Sequence, residues 1–266
     1  MNYSKYIKIN HDLWNRKTGF HVKSKFYDVK SFIKGRSSLN FPELELLGEI
    51  KNKTVLHLQC HFGMDSISLA SMGARVTAVD FSDKAIKIAK ELNKETGSDV
   101  NFICSDIYNL RKKLKQKFDI VFTSYGVIGW LPDLNRWGRI ISGFLKNKGF
   151  FCMVEFHPFI FLYDDNFDKI KYSYFNTGVI IEEIKGTYAD RKADFRHKSC
   201  EWSHPLSEVF GALNINHLKI ISFKEYPFSV YNCFNKTVRS KGGFWQIKKF
   251  GEKIPMMYSV KAVHDS

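Results

Sequence analysis

Residues 55–66 read VLHLQCHFGMDS, an apolar and β-prone segment that runs into a turn containing a glycine. Nucleotide-binding strands often end in such a turn, where a glycine such as Gly63 lets a ligand approach the backbone closely. A dinucleotide would require further glycines to cradle its pyrophosphate, but Gln59 and His61 stand in those places. The stretch therefore predicts a loop at the end of a buried strand that suits a ligand without phosphates.

Strand-like and helix-like segments alternate from residue 54 to residue 158. Such alternation predicts a parallel sheet with right-handed crossovers, which binds its ligand at the carboxyl ends of the strands. Asp65 and Ser82 are expected to cap the helices that follow the first and second strands.

The alternation stops after His157-Pro158, and residues 159–200 hold no long helix. Three segments there, KIKYSYFN, VIIEEIKGTYAD and FRHKSCEW, are typical of short antiparallel strands. A helix from Pro205 and two final strands follow. We therefore expect an α/β fold with a seven-stranded, mostly parallel, doubly wound sheet whose last strand is antiparallel. An N-terminal arm and a small β-rich insertion complete it.

Composition bounds the location and the partners of the chain. Lys and Arg exceed Asp and Glu by 14, which can mark a nucleic-acid surface. The basic residues are dispersed, however, and the densest cluster, residues 111–117, reads as the solvated face of a short helix. We expect no nucleic-acid partner and, because no apolar run approaches the length of a membrane span, no membrane contact.

The N-terminus is polar and does not resemble a secretory signal. Five scattered cysteines, an odd number without paired spacing, indicate reduced thiols rather than a disulfide framework. These features predict a cytoplasmic protein. The oligomeric state is left open.

Polar residues end three further strands. A carboxylate at Asp80 can accept both hydroxyls of a ribose, although it could also cap the next helix. Asp106 could accept the exocyclic amine of an adenine, with the Ile107 amide nearby, or cap the helix that follows. Ser124-Tyr125 ends the fourth strand. Two carboxylates without a phosphate cradle predict an adenosine that lacks phosphates.

The segments VLHLQCHFG, VTAVDFS, FICSDIY, FDIVFTSYGVIGWLPD and LKNKGFF resemble the successive motifs of class I S-adenosylmethionine-dependent methyltransferases. The resemblance covers roughly residues 50–157 and the two terminal strands. It implies the cofactor S-adenosyl-L-methionine, with Asp80 on its ribose, Asp106-Ile107 on its adenine and the first loop along its methionine. The expected cofactor-binding residues are Trp14, His21, Leu58, Gln59, Cys60, His61, Gly63, Asp80, Phe81, Asp106, Ile107 and Ser124.

The chain departs from that family in its first motif. His57 replaces the usual acid and cannot act as an anion, while Gln59 and His61 replace two usual glycines. The side chains of Gln59 and His61 can offer polar contacts instead. A zinc site at His57, Cys60 and His61 is not expected, because residues along a strand alternate faces and point apart.

Four parts follow from this interpretation: an N-terminal arm or lid at 1–53, a Rossmann-like cofactor-binding core at 54–158, a substrate-side insertion at 159–200, and the C-terminal part of the core at 201–266. Trp14 and His21 lie in the arm, which could fold over the cofactor or merely pack on the core.

The sequence favours an enzyme that transfers a methyl group to a small molecule by in-line displacement. A base is needed if the acceptor arrives protonated, and His204, His157, Glu155 and Tyr125 are the candidates. Pro205 would fix His204 before a helix start, where the ring could act as a base or as a cap.

Two alternatives stay open. The charge favours a tRNA or rRNA methyltransferase, but SYGV after the fourth strand is not the Asn/Asp-Pro-Pro-aromatic pattern that resembles base-amine methylation. A non-catalytic protein of the same fold is the other. A dehydrogenase is disfavoured by the missing glycines. The sequence does not name the acceptor or the atom methylated.

Overall fold

A computed structural model describes residues 3–264. Its helices are α1 Ser4–His21, α2 Val29–Ile33, α3 Phe41–Leu47, α4 Met64–Ser71, α5 Asp83–Glu95, α6 Leu134–Phe144 and α7 Leu206–Ile215. Its strands are β1 Thr54–Leu58, β2 Arg75–Asp80, β3 Val100–Cys104, β4 Phe118–Ser124, β5 Leu145–Phe156, β6 Ile180–Lys185, β7 Arg196–Glu201, β8 Leu218–Tyr226, β9 Thr237–Arg239, β10 Trp245–Ile247 and β11 Met257–His264. Short 3-10 helices span Ile107–Lys112, Ile128–Trp130 and Pro158–Leu162.

The main sheet has seven strands in the order β3-β2-β1-β4-β5-β11-β8. Strands β1 to β5 are parallel, and β11 is antiparallel to both of its neighbours. The predicted fold class, including its antiparallel last strand, is confirmed. Strand order reverses between β1 and β4, so a crevice is expected beyond the carboxyl ends of these two strands.

Apolar layers cover both faces of the sheet. On one face, α6 and α7 pack on β4, β5 and β11, with the fully buried Trp137 at the centre of the layer. On the other face, α4 and α5 pack on β2 and β3 and α3 packs on β5 and β11, in a layer that includes Phe62, Phe102 and Phe122. The central strand β1 is buried along its whole length, as its continuous apolar run requires.

Helix α4 begins differently from the prediction. Gly63, with φ of 81°, occupies the N-cap position, and Asp65 lies in the first turn. Because the turn after β1 is tight, a Cβ at Gly63 would lie 2.5 Å from the ring of Phe102. The predicted cap at Asp65 was therefore wrong, whereas Ser82 does cap α5 by accepting a hydrogen bond from the Ala85 amide.

The insertion contains two of its three predicted strands. Strands β6 and β7 form an antiparallel pair, but KIKYSYFN forms only an isolated bridge between Tyr163 and Ile170. The hairpin of β9 and β10 was not predicted. Among residues 3–264, no helix is both long and apolar enough to cross a membrane.

The N-terminal arm forms three helices, and α1 is held against the core at two places. Asn15 accepts a hydrogen bond from the Ser82 hydroxyl at 2.5 Å and donates one to Asp83 at 2.7 Å. Asn10 exchanges two hydrogen bonds with the backbone of Cys200 in β7. Helix α1 thus bridges the start of α5 and the insertion, and it lies next to the loop after β1.

Candidate active site

A cavity of about 690 Å³ lies at the carboxyl ends of β1, β2, β3 and β4. The loop after β1 forms its floor, while α1 and the β6–β7 pair contribute walls. This volume lies within the range of small-molecule and cofactor sites. The predicted site residues that line it are Trp14, Leu58, Gln59, Cys60, His61, Gly63, Asp80, Phe81, Asp106, Ile107, Ser124, Tyr125, Glu155 and His204.

The loop after β1 keeps a glycine-like backbone without most of the glycines. Gln59 and His61 have φ of 55° and 52°, in the left-handed region, and Gly63 has φ of 81°. Left-handed conformations strain residues that carry a Cβ and are tolerated where the surroundings enforce them. Here the Asp80 carboxylate accepts a hydrogen bond from the His61 amide at 2.8 Å. The strained loop is therefore tied to the end of β2.

Asp80 is suited to a diol. It is only 7% exposed, and its two carboxylate oxygens each accept one backbone hydrogen bond, from His61 and from Ser82. Burial raises the pKa of Asp80 to about 6, although these hydrogen bonds oppose the rise. Each oxygen keeps acceptor capacity, so the side chain can bind the two hydroxyls of a ribose at neutral pH.

His57 is a buried neutral histidine. Its Nδ1 lies 2.8 Å from the Ser66 hydroxyl, and burial lowers its pKa to about 3. The ring therefore carries no charge at neutral pH, in agreement with the expectation that it cannot replace the usual acid as an anion.

Gln59 offers a polar atom to the site. Its Nε2 donates to the Val127 carbonyl at 2.9 Å, while its buried Oε1 has no partner within residues 3–264. A buried acceptor without a partner is costly, and a ligand donor would satisfy it. With the diol site at Asp80 and the close backbone at Gly63, the chain's groups fit a nucleoside with an ammonium-bearing tail.

Asp106 has the capping role that was weighed against adenine binding. Its two oxygens accept hydrogen bonds from the Tyr108 amide at 3.0 Å and from Asn109 Nδ2 at 3.1 Å. It nonetheless lines the cavity together with Ile107. The two roles are compatible, and the adenine contact stays a prediction.

Helix α1 contributes Trp14, but not His21, to the cavity. The Trp14 ring centroid lies 5.3 Å from those of His61 and Trp130. His21 is fully buried behind the loop, where its Nδ1 lies 3.0 Å from His61 Nε2 and its ring stacks on Tyr27. His21 is thus a support for His61 rather than a lining residue, which corrects its predicted place.

Glu155 anchors the loop that follows β4. Its Oε1 accepts from the Gly126 and Phe156 amides, and its Oε2 accepts from the Val127 and Ile128 amides. Burial raises the pKa of Glu155, and these hydrogen bonds oppose the rise. Because four amides occupy its acceptor positions, Glu155 is not placed to take a proton from a substrate, contrary to the prediction.

His157 does not line the cavity. Its Nδ1 accepts from the Phe159 amide at 3.1 Å, and its Nε2 lies 3.0 Å from Glu225 in β8. Burial lowers the pKa of His157, while Glu225 opposes that effect. The predicted base is thus a helix cap facing away from the site.

His204 lines the cavity, but both of its ring nitrogens lie close to oxygen atoms of the chain. Nε2 lies 2.8 Å from the Leu131 carbonyl, and Nδ1 lies 3.0 Å from the Glu208 carboxylate. Because Nε2 faces a carbonyl oxygen, it carries a proton there and acts as a donor, so it cannot accept a proton from a substrate while this contact holds. The geometry opposes the predicted role of base and favours a link between the insertion, the loop after β4 and α7.

Tyr125 is the predicted base candidate whose surroundings suit proton transfer. Its backbone has φ of 37°, and its hydroxyl donates to Glu43 in α3 at 2.7 Å. Glu43 is fully buried, and burial, reinforced by Asp65, raises its pKa to about 7. A buried carboxyl with such a pKa can accept a proton near neutral pH.

Sequence reasoning missed Lys17, Glu43 and Asp65. Glu43 and Lys17 lie in the arm, whose contacts with the core have no local signal. Asp65 accepts from the Ser38 hydroxyl at 2.6 Å and from the Ser124 hydroxyl at 3.1 Å. Its position before an apolar helix resembled a cap, and only its distant partners reveal a half-buried carboxylate that lines the cavity.

Comparison with known proteins agrees with the fold. Residues 55–149 match the family model described as a methyltransferase domain. The chain is 27% identical over 165 residues to a ubiquinone biosynthesis O-methyltransferase of Nitrosomonas europaea, a match that spans 61% of this chain and 66% of that protein.

Two solved structures share the fold. An S-adenosylmethionine-dependent methyltransferase of Clostridium acetobutylicum aligns over 99% of both chains, with a TM-score of 0.58 and 16% identity. A geranyl diphosphate C-methyltransferase of Streptomyces coelicolor, solved with S-adenosyl-L-homocysteine, aligns over 83% of this chain and 73% of its own, with a TM-score of 0.55 and 14% identity. These findings support the predictions of family and cofactor: residues 55–149 match a methyltransferase domain, and the fold is one that solved S-adenosylmethionine-dependent methyltransferases share.

Proposed function

We propose that the chain transfers a methyl group from S-adenosylmethionine to a small-molecule acceptor. The observation that carries the proposal is a single cavity. Around Asp80 it is lined by residues that suit a nucleoside, and it continues to the insertion at residues 159–200. The name of the Nitrosomonas relative favours a hydroxyl as the acceptor.

The acceptor end of the cavity is aromatic. Its ring-bearing residues are Tyr125, Phe156, Phe161, Tyr163, Tyr172, Tyr188, Tyr231 and Phe234. Such walls suit a flat or apolar acceptor, because aromatic side chains stack on rings and exclude water. Helix α1 and the insertion serve as lid and substrate-side wall in this proposal.

When bound, the cofactor supplies an electrophilic methyl group, so the protein's main task is alignment. Asp80 and the loop after β1 orient the nucleoside and its tail. The acceptor hydroxyl gives its proton to the Tyr125 oxygen, while the Tyr125 proton passes to the Glu43 carboxylate. This relay uses the hydrogen bond of 2.7 Å between the two side chains.

The charge distribution supports a small molecule over RNA. Although the chain has a formal charge of +14, the cavity is lined by eight Asp or Glu and only four Lys or Arg residues. A site that tracks a phosphate backbone needs the opposite balance. The excess positive charge therefore lies away from the cavity.

The test is to incubate the protein with methyl-labelled S-adenosylmethionine and fractionated small-molecule and RNA extracts. Label in a small-molecule fraction is expected, and it should vanish with Asp80→Ala. Label in RNA with a steep loss of RNA affinity at rising salt would replace the proposal by an RNA methyltransferase. Cofactor binding without label in any fraction would favour a non-catalytic protein.

A further inference from the structure

Lys17 is a buried cation on α1 that lines the cavity. Only 6% of the residue's surface is exposed. The Nζ atom lies 4.9 Å from the ring centroid of Trp14 and 5.1 Å from that of Trp130. Within residues 3–264, no carboxylate oxygen lies within 4.0 Å of this nitrogen, so Lys17 forms no ion pair there.

A buried ammonium without a paired anion is unfavourable. Burial lowers the pKa of Lys17 to about 8, and the more distant Glu201 only partly opposes this effect. The two indole rings compensate a fraction of the lost hydration through cation–π attraction. An anion bound in the cavity would satisfy the charge more completely than any group of the chain does.

An unpaired acceptor belongs to the same part of the cavity. Gln59 Oε1 is buried without a partner, and Gln59 Nε2 binds the carbonyl of Val127, in the turn that also carries Trp130. Burial lowers the pKa of His61, in the loop after β1, to about 3, and the nearby charge of Lys17 adds to this effect. A cation and a free acceptor together are complementary to a zwitterion that offers one carboxylate and one ammonium.

We propose that Lys17 binds the carboxylate, and Gln59 Oε1 the ammonium, of the amino-acid tail of S-adenosylmethionine. The inference rests on the proposed function and gives α1 a binding role in addition to its covering one. It also explains how a site whose first loop has His57 in place of an acid recognises a charged tail: the carboxylate of the tail is bound by Lys17, a side chain of α1.

The test compares two ligands that differ in the tail. S-adenosylhomocysteine carries the amino-acid end, whereas 5′-methylthioadenosine lacks it. Calorimetry on Lys17→Met should show a roughly 10- to 100-fold loss of affinity for S-adenosylhomocysteine, the range for a hydrogen bond to a charged group. Affinity for methylthioadenosine should stay within about twofold, which also shows that the variant is folded.

Two controls isolate the charge. Lys8→Met removes an exposed lysine from the same helix and should leave both affinities unchanged. Lys17→Arg keeps the charge and should retain most of the affinity for S-adenosylhomocysteine. In the wild type, this affinity relative to that for methylthioadenosine should begin to fall above about pH 8, whereas Lys17→Arg should show no decline there, because arginine stays protonated.

Equal losses for both ligands, or no loss, in Lys17→Met would overturn the inference while leaving the cofactor assignment intact. An unchanged affinity for S-adenosylhomocysteine with a raised KM for the acceptor would assign the anion to the acceptor instead. Binding of neither ligand to the wild type would contradict the proposed function itself.

Discussion

Asp80 joins two roles in one side chain. Its carboxylate holds the amides of His61 and Ser82, and so fixes the strained loop, while its remaining lone pairs face the cavity. Because the binding group also maintains the shape of the loop, removal of the carboxylate should affect the ligand twice, through a lost contact and through a relaxed backbone.

Asp80→Ala should weaken binding of S-adenosylhomocysteine by about 2–3 kcal/mol, the scale of lost hydrogen bonds to a charged group. Calorimetry would measure the loss, with Asp99→Ala as the control, since Asp99 is exposed and does not line the cavity. An unchanged affinity in folded Asp80→Ala would place the ribose elsewhere.

Glu43→Gln should lower turnover at least tenfold and leave cofactor affinity intact, because it removes the proton acceptor behind Tyr125. The raised pKa of Glu43, about 7, sets the pH dependence. Only ionised Glu43 can accept the proton, so wild-type turnover should fall as pH drops through about 7. A Glu43→Gln variant with the same acidic limb as the wild type would refute the relay.

At the scale of elements, the turn from β1 to α4 depends on one glycine. Gly63 has a left-handed backbone, and its missing Cβ makes room for the Phe102 ring. In contrast, Gly211 of α7 meets nothing within 4 Å and has an ordinary helical backbone.

Gly63→Ala should lower the free energy of unfolding by several kcal/mol, because a steric clash adds to the left-handed strain. Gly211→Ala should be neutral or slightly stabilising, since alanine is favoured over glycine inside a helix. Urea titration of the two variants would test the contrast, and equal stability of both would contradict this account of the turn.

His204 illustrates the junction between the insertion and α7. His204→Ala should lower stability by about 1–3 kcal/mol, because the Leu131 carbonyl and Glu208 lose a buried partner. Turnover should stay near normal. A loss of turnover of about 100-fold with unchanged stability would instead restore the role of base that the sequence suggested.

The elements that sequence reasoning predicted are those with a local cause. Buried strands such as β1 and β4 have continuous apolar runs, and α5 has a serine cap and an apolar stripe. The features that were predicted wrongly depend on remote partners. Asp65 has the sequence position of a cap, but its carboxylate accepts hydrogen bonds from Ser38 and Ser124 instead. The hairpin of β9 and β10 is three residues per strand, too short for a clear alternating pattern.

The same distinction between local and remote causes applies to the residues of the site. Asp80 and the loop residues follow from their places at strand ends, which the topology fixes. Of the four base candidates only Tyr125 followed, because Glu155, His157 and His204 each meet partners from other segments that use their polar atoms. Lys17 and Glu43 belong to the arm, and their approach to the cavity is set by packing over more than 40 residues of sequence.

At the scale of the whole molecule, the basic surface and the acid-rich cavity are separate features. The basic surface keeps the chain positively charged in solution, which favours solubility. The cavity binds its ligands through a separate set of side chains. Helix α1 connects the two environments, since its exposed lysines face outward and Lys17 faces the cavity.

The paired indoles of Trp14 and Trp130 have an optical consequence. Both line the cavity beside Lys17, whereas Trp137 is buried in the core away from it. A charged ligand that binds next to the pair should change the intensity and wavelength of tryptophan fluorescence. Trp202 also lines the cavity, whereas Trp137 and Trp245 do not and give a constant background. Trp14→Phe should remove much of that change, so that the protein reports the filling of its own site without a label.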